Sequence, residues 1–179
     1  MTLTTRIATA DDIPAIAALM DRAIAELQRG FLTPEQVAAS RHSMGLDTQL
    51  IADGTYVVVE EAGRIVGCGG WSWRATLYGG DHNPALRNAA PLDPASDAAR
   101  IRAMYTDPDF VRRGIGRMVL AANEAAARAA GFRRAELMAT LAGEPLYRAC
   151  GYEPIERVDR MSEEGVPVPG VRMGKALAG

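Results

Sequence analysis

The sequence is short of the residues that build metal centres, nucleic-acid faces and membrane spans. It holds only two cysteines and two histidines in 179 residues. Cys68 and Cys150 stand far apart with no metal-ligand spacing around them, so no metal is expected. Two distant thiols do not make a disulfide scaffold, and the simplest expectation is a reduced, cytoplasmic protein with both cysteines in its core. Basic residues are not in surplus: the formal net charge is −2 and the isoelectric point is near 5.7. That argues against nucleic acid as a partner. No segment approaches the roughly 20 apolar residues of a membrane helix. The opening "MTLTTRIATADD" has neither the basic nor the apolar region of a secretory signal.

What is present is an ordinary globular composition, 48% hydrophobic and 23% charged. The length suits one domain over residues 1–179. "TADDIPAIAALMDRAIAEL" carries a helix-start signal followed by a helical stripe of Ile13, Ile16, Leu19, Met20, Ala23, Ile24 and Leu27. "TPEQVAASRHS" predicts a second, short helix ending near Gly45. "TYVVVEEAGRIVGCGGWSW" reads as a hairpin of Tyr56–Glu60 and Arg64–Trp73, and Gly67, Gly69 and Gly70 suggest a bulge or a close backbone approach. Residues 74–97 read as a long loop. Strand "ARIRAMYT", an alanine-rich helix after Gly116, strand "FRRAELMAT", short helix "GEPLYRAC" and two closing strands complete the order β-α-α-β-β-β-α-β-α-β-β. The fold class is therefore mixed α/β.

Chemistry concentrates at "YTDPDFVRRGIGRM". Gly114 and Gly116 sit between a strand and a helix, crowded by Arg112, Arg113 and Arg117. The first turn of a helix leaves N–H groups unpaired and carries partial positive charge. Small residues there let an anion approach, and flanking arginines can pair with phosphates. A tight turn beneath a solvated basic face is the competing reading. A dinucleotide-binding G-x-G-x-x-G is excluded by Val119 at the third glycine position, and no P-loop sequence occurs.

The strand–turn–helix, the strand "RRAELMAT" and the following "PLYRACGYEP" together resemble the GNAT acetyltransferase superfamily, over roughly residues 56–158. The resemblance implies a mostly antiparallel sheet flanked by helices, with acetyl-coenzyme A as co-substrate. The family's pyrophosphate turn falls on Val111, Arg112, Arg113, Gly114, Ile115 and Gly116, with Arg117 just beyond; Val111 departs from the usual Gln or Arg. The pantetheine contacts fall by position on Met104, Tyr105 and Thr106. The resemblance also implies Tyr147 as the proton donor to the leaving thiolate, with a core-packing tyrosine as the alternative. Thr140 stands where many members carry an asparagine.

The carboxylate that many members place before the turn is missing. Counting back on the face of Met104 gives Arg102 and Arg100, so no general base is named. Arg102 could clamp an anionic group on the acceptor or form an ion pair with Asp97, Asp107 or Glu136. Trp73, two residues from Trp71, is a candidate wall of the acceptor site, with core packing as the alternative. The implied activity is direct transfer of acetyl to a primary amine of a small molecule or peptide. A domain that only binds or senses acyl-coenzyme A is the second reading, and a homodimer remains open beside a monomer.

Overall fold

The computed structural model describes residues 2–178. Seven strands form one sheet in the order β1-β2-β3-β4-β5-β7-β6. In chain order the elements are β1 (Leu3–Ile7), α1 (Ile13–Leu27), α2 (Pro34–Ser40), α3 (Thr48–Ala52), β2 (Tyr56–Glu61), β3 (Arg64–Ser72), β4 (Ala99–Thr106), α4 (Ile115–Ala129), β5 (Arg134–Thr140), α5 (Glu144–Ala149), β6 (Glu153–Met161) and β7 (Pro167–Ala176). All neighbours pair antiparallel except β4 with β5. This is the expected mixed sheet, with one addition. The single turn of α3 has too few residues to show a helical period, and its signal is Asp47, whose side chain accepts from the Gln49 N–H.

Helices cover both faces of the sheet, which is why β2 reads as an unbroken apolar run. Tyr56 and Val58 pack with Ile16, Leu19, Met20 and Ile24 of α1. Val57 and Val59 pack on the other face with Ile115 and Val119 of α4. A third cluster joins Ile101 of β4, Leu120 and Ala127 of α4, and Leu137 and Ala139 of β5.

The sheet is interrupted in its middle. The register between β3 and β4 shifts between Cys68 and Gly70, so that Gly69 faces both Ala103 and Met104. Ala103 adopts a φ of +49°, a conformation that costs a non-glycine residue about 1–2 kcal/mol. Gly69 is bare for a packing reason: a Cβ there would stand 2.6 Å from Met104 Cγ and from Val119 Cγ1. The bulge bends β4. Its pairing with β5 covers only Ala99 with Ala135 and Arg100 with Glu136, and from Ile101 to Thr106 the edge facing β5 is unpaired.

The bulge also overturns the assumed alternation along β4. Met104 packs with Ile101 against α4, while Ala103 and Tyr105 pack in the α1 cluster. Met104 and Arg102 therefore do not share a face, because an extra residue at Ala103 reverses the side-chain phase.

Candidate active site

The gap between β4 and β5 opens into a cavity of about 700 Å³. Met104, Tyr105 and Thr106 form one wall, Leu137, Met138 and Thr140 the other, and residues of α5 with the turn before α4 close one end. Ser43, Met44, Tyr78 and Gly79 reach the opposite end from the segment after α2 and from the long loop.

Asp107 anchors the start of the turn. Its carboxylate accepts from Arg22 Nη1 at 3.1 Å, from Arg64 Nη2 at 2.6 Å and from the Asp109 N–H at 3.0 Å. After it, Arg112 and Gly114 take left-handed φ values of +65° and +80°. Gly114 is the N-cap of α4, and its carbonyl accepts from the Met118 N–H at 3.0 Å. Among the described residues, the backbone N–H groups of residues 112–117 make no hydrogen bond within the protein. Unpaired N–H groups on a glycine turn at the mouth of a 15-residue helix fit an anionic oxygen-rich group such as a pyrophosphate.

The three arginines of this turn divide. Arg112 and Arg117 line the cavity and have no carboxylate partner among the described residues; Arg117 Nη1 lies 3.6 Å from Cys150 Sγ. Arg113 does not line the cavity. Its guanidinium is held by both oxygens of Glu61, at 3.0 and 2.7 Å, and lies over the Phe110 ring. Its expected contribution of charge to a bound phosphate is therefore corrected: β2 ends beside the turn and supplies a nearer carboxylate. The two glycines also differ. Gly114 is required by its positive φ, with open space around it, whereas a Cβ on Gly116 would meet Leu146 Cδ2 at 2.6 Å.

Tyr147 lies on α5, half-buried, with its ring edge-on to Tyr152 at 6.0 Å. It packs against the β4–α4–β5 core and also lines the cavity. Its hydroxyl has no hydrogen-bond partner among the described residues and is not sealed from solvent. Burial raises its pKa above the ordinary phenol value, and the phenols and thiol of Tyr105 and Cys150 add to the rise. Thr140 Oγ1 accepts from the Gly143 N–H at 3.0 Å and so shapes the entry to α5.

Arg102 lines the cavity, yet it is 4% exposed and its Nη2 donates to Asp47 Oδ2 and to the Gly79 carbonyl, both at 2.9 Å. Arg102 is thus in an ion pair, but with none of Asp97, Asp107 or Glu136: its partner Asp47 comes from the start of α3. Trp73 is outside the cavity. It lies edge-on to Trp71 at 5.8 Å, packs against the core beside Leu92, and carries the Arg74 guanidinium on its ring. As a wall of the acceptor site it is corrected, because β3 ends at Ser72, away from the splayed end of β4.

Among the charged residues of the cavity lining, Arg160 was not expected from the sequence. Arg160 of β6 is 5% exposed and lines the cavity, reached across β7. Nothing in "EPIERVDRM" separates it from Arg157, which is exposed. Among the described residues, the cavity lining contains no Asp, Glu or His. Glu60 and Glu61, at the end of β2, are bound to Arg6 and Arg113. Among the described residues no group of three or more His, Cys, Asp and Glu side chains could hold a metal ion.

The family model of the acetyltransferase (GNAT) domain matches residues 52–154. The chain belongs to the GNAT acetyltransferase family. Solved structures extend the likeness of fold to almost the whole GNAT chain. A GCN5-related N-acetyltransferase from Rhodopseudomonas palustris is 20% identical with a TM-score of 0.72, over 99% of this chain and 97% of that one. The ribosomal-protein-S18-alanine N-acetyltransferase from Escherichia coli is 16% identical with a TM-score of 0.60, over 99% and 96%. PaiA N-acetyltransferase from Thermoplasma acidophilum, solved in complex with coenzyme A, is 10% identical with a TM-score of 0.61, over 98% and 99%. No curated protein sequence matches the chain. No helix among the described residues is long and apolar enough to cross a membrane.

Proposed function

We propose that this GNAT protein transfers acetyl directly from acetyl-coenzyme A to a primary amine, with Tyr147 protonating the departing thiolate. The observation that carries this reading is the row of unpaired N–H groups at residues 112–117, placed at one end of the same cavity as the unpartnered Tyr147 hydroxyl. The pyrophosphate would sit on those N–H groups with Arg112 and Arg117 beside it. The pantetheine arm would lie along the unpaired edge of Met104, Tyr105 and Thr106, where its amides can replace the missing β5 partner. Nitrogen attack on the thioester carbonyl forms the C–N bond and breaks the C–S bond. The sulfur takes the Tyr147 proton, and the nitrogen gives up one of its own to water.

The phenol is protonated at neutral pH and so has a proton to give; the burial that raises its pKa makes it a weaker acid, which sets the limit on its help to the thiolate. General-acid help of this kind is worth about 10²–10⁴-fold. A base is not needed if the amine arrives neutral. The cavity holds arginines and no carboxylate, and nearby positive charge lowers the pKa of a bound ammonium. The unpaired thiols of Cys68 and Cys150 support a reducing, cytoplasmic setting.

The test is thiol release from acetyl-coenzyme A across an amine panel, with Tyr147→Phe beside the wild type. The variant should lose at least about tenfold in kcat with an unchanged acetyl-coenzyme A Kd. Equal turnover would return Tyr147 to packing. The lack of a carboxylate or imidazole in the cavity favours a second reading, a domain that binds acyl-coenzyme A without catalysis. Tight acetyl-coenzyme A binding with no thiol release for any amine would establish it.

A further inference from the structure

The cavity end opposite the glycine turn is built around a charge with no counter-ion. Arg160 Nη1 donates to Ser43 Oγ at 3.1 Å, while Nε and Nη2 have no partner among the described residues and are closed off from solvent. These two nitrogens lie on the same edge of the planar guanidinium, and that edge is turned towards Gly170 of β7, whose Cβ position is 3.2 Å from Nε; Arg160 meets the cavity with the rest of its side chain. A dry and unpartnered edge is costly. Leaving a charged group buried without its partners costs several kcal/mol unless a ligand completes it.

The surroundings say which charge is wanted. Arg102, the other guanidinium at this end, is already neutralised by Asp47. The titratable side chains that face Arg160 are the phenols of Tyr78 and Tyr105, from the long loop and from β4, and neither is a carboxylate. Tyr105 accepts from the Gly45 N–H at 3.1 Å and its pKa is pushed up to about 12, chiefly by burial. With no Asp or Glu in the lining, one positive charge is left over at this end. The backbone cooperates. Arg160 reaches the cavity across Gly170 of β7, where a Cβ would stand 3.2 Å from Nε.

We propose that the acceptor carries a carboxylate close to its amine, as an amino acid does, and that this carboxylate is the counter-ion of Arg160 where that residue lines the cavity. The amine half of this statement rests on the transfer reading above; the carboxylate half does not. A single unneutralised guanidinium matches a carboxylate monoanion, whereas a phosphate dianion would leave a negative charge in a dry site.

The experiment is calorimetric titration of the coenzyme A-bound protein, paired with thiol-release kinetics on acetyl-coenzyme A. The probes are L-phenylalanine, L-methionine and glycine, the matched amines without the carboxylate (phenethylamine, 3-methylthiopropylamine and methylamine), and phosphoethanolamine. At least one amino acid should exceed its matched amine by about 100-fold in affinity or kcat/KM, the size of a charge-assisted contact. Arg160→Met should reduce that preference to within a few-fold while leaving the acetyl-coenzyme A Kd within about twofold. Its melting temperature should not fall, because a charge buried without a partner is removed.

Equal binding of amino acids and matched amines, a preference that survives Arg160→Met, or a stronger response to phosphoethanolamine would each overturn the proposal. So would failure of every carboxylate probe to bind. Carboxylate binding without thiol release would sink the transferase reading and leave the Arg160 site standing.

Discussion

Leu146 of α5 occupies the space that a side chain on Gly116 of α4 would need, with its Cδ2 2.6 Å from the Cβ position. This contact sets the distance between the helix that presents the N–H row and the short helix that carries Tyr147. Gly116→Ala should therefore push α5 outward and lower kcat at least about tenfold, with a smaller effect on acetyl-coenzyme A binding. Gly116→Ala combined with Leu146→Ala should recover most of the loss. A double-mutant cycle on kcat checks the coupling; additive losses would mean that the two residues act apart. Gly114→Ala should instead cost about 1 kcal/mol of stability through its positive φ, and no change at Leu146 should restore it.

Asp47 joins three jobs: it caps α3, neutralises Arg102 and accepts from Arg87 Nη2 at 3.0 Å. Asp47→Ala strands a guanidinium that is only 4% exposed, which should cost about 3–5 kcal/mol. Asp47→Ala together with Arg102→Met should cost clearly less than Asp47→Ala alone. Urea denaturation of the three proteins reads this directly.

The arginines of the turn should separate in binding. Arg112→Ala and Arg117→Ala should each weaken acetyl-coenzyme A by about five- to tenfold at low salt, and less at high salt, as expected for exposed charges near phosphates. Arg113→Ala should leave that affinity within about twofold, because its guanidinium is held by Glu61. Calorimetric titration at two ionic strengths distinguishes them.

The stability of the fold should fall in acid by a predictable route. The Arg6 guanidinium and then the Thr9 N–H hold the Asp12 carboxyl down at about 2. Burial alone would raise Asp107, but the Asp109 N–H, Arg64 and Arg22 together carry it below its usual value. Both groups have folded pKa values lower than their unfolded ones, so their contribution is complete above about pH 4 and is lost as the pH falls below it, for Asp12 through about 2. Urea midpoints from pH 5 to pH 2.5 should drop steadily, and Asp12→Asn should flatten part of the slope.

Local chemistry was readable in the sequence wherever one element carried it. The glycine turn and the hairpin each depend on nearby residues, and they stand where turn signals and strand propensity put them. The apolar run of β2 likewise sends Val57 and Val58 to opposite faces, as a strand covered on both sides must. Long-range pairing was not readable. The partner of Arg102 was not among the three carboxylates named for it because Asp47 lies 55 positions away, and Arg113 looked available because Glu61 lies 52 positions away. Arg160 was invisible for a different reason. An arginine on an edge strand is ordinarily solvated, and this one folds inward with its Nε beside the bare Cα of Gly170. The bulge at Ala103 hid the phase of β4, since a single residue of slip is enough to exchange its two faces.

The strands on either side of the gap are joined through backbone pairing at only two residue pairs, Ala99 with Ala135 and Arg100 with Glu136. A molecule lying in that opening and bonding to both bare edges would act as a rivet between two halves of one sheet. The co-substrate would then be part of the architecture while it is bound, and its departure after each turnover would leave those halves freer to part.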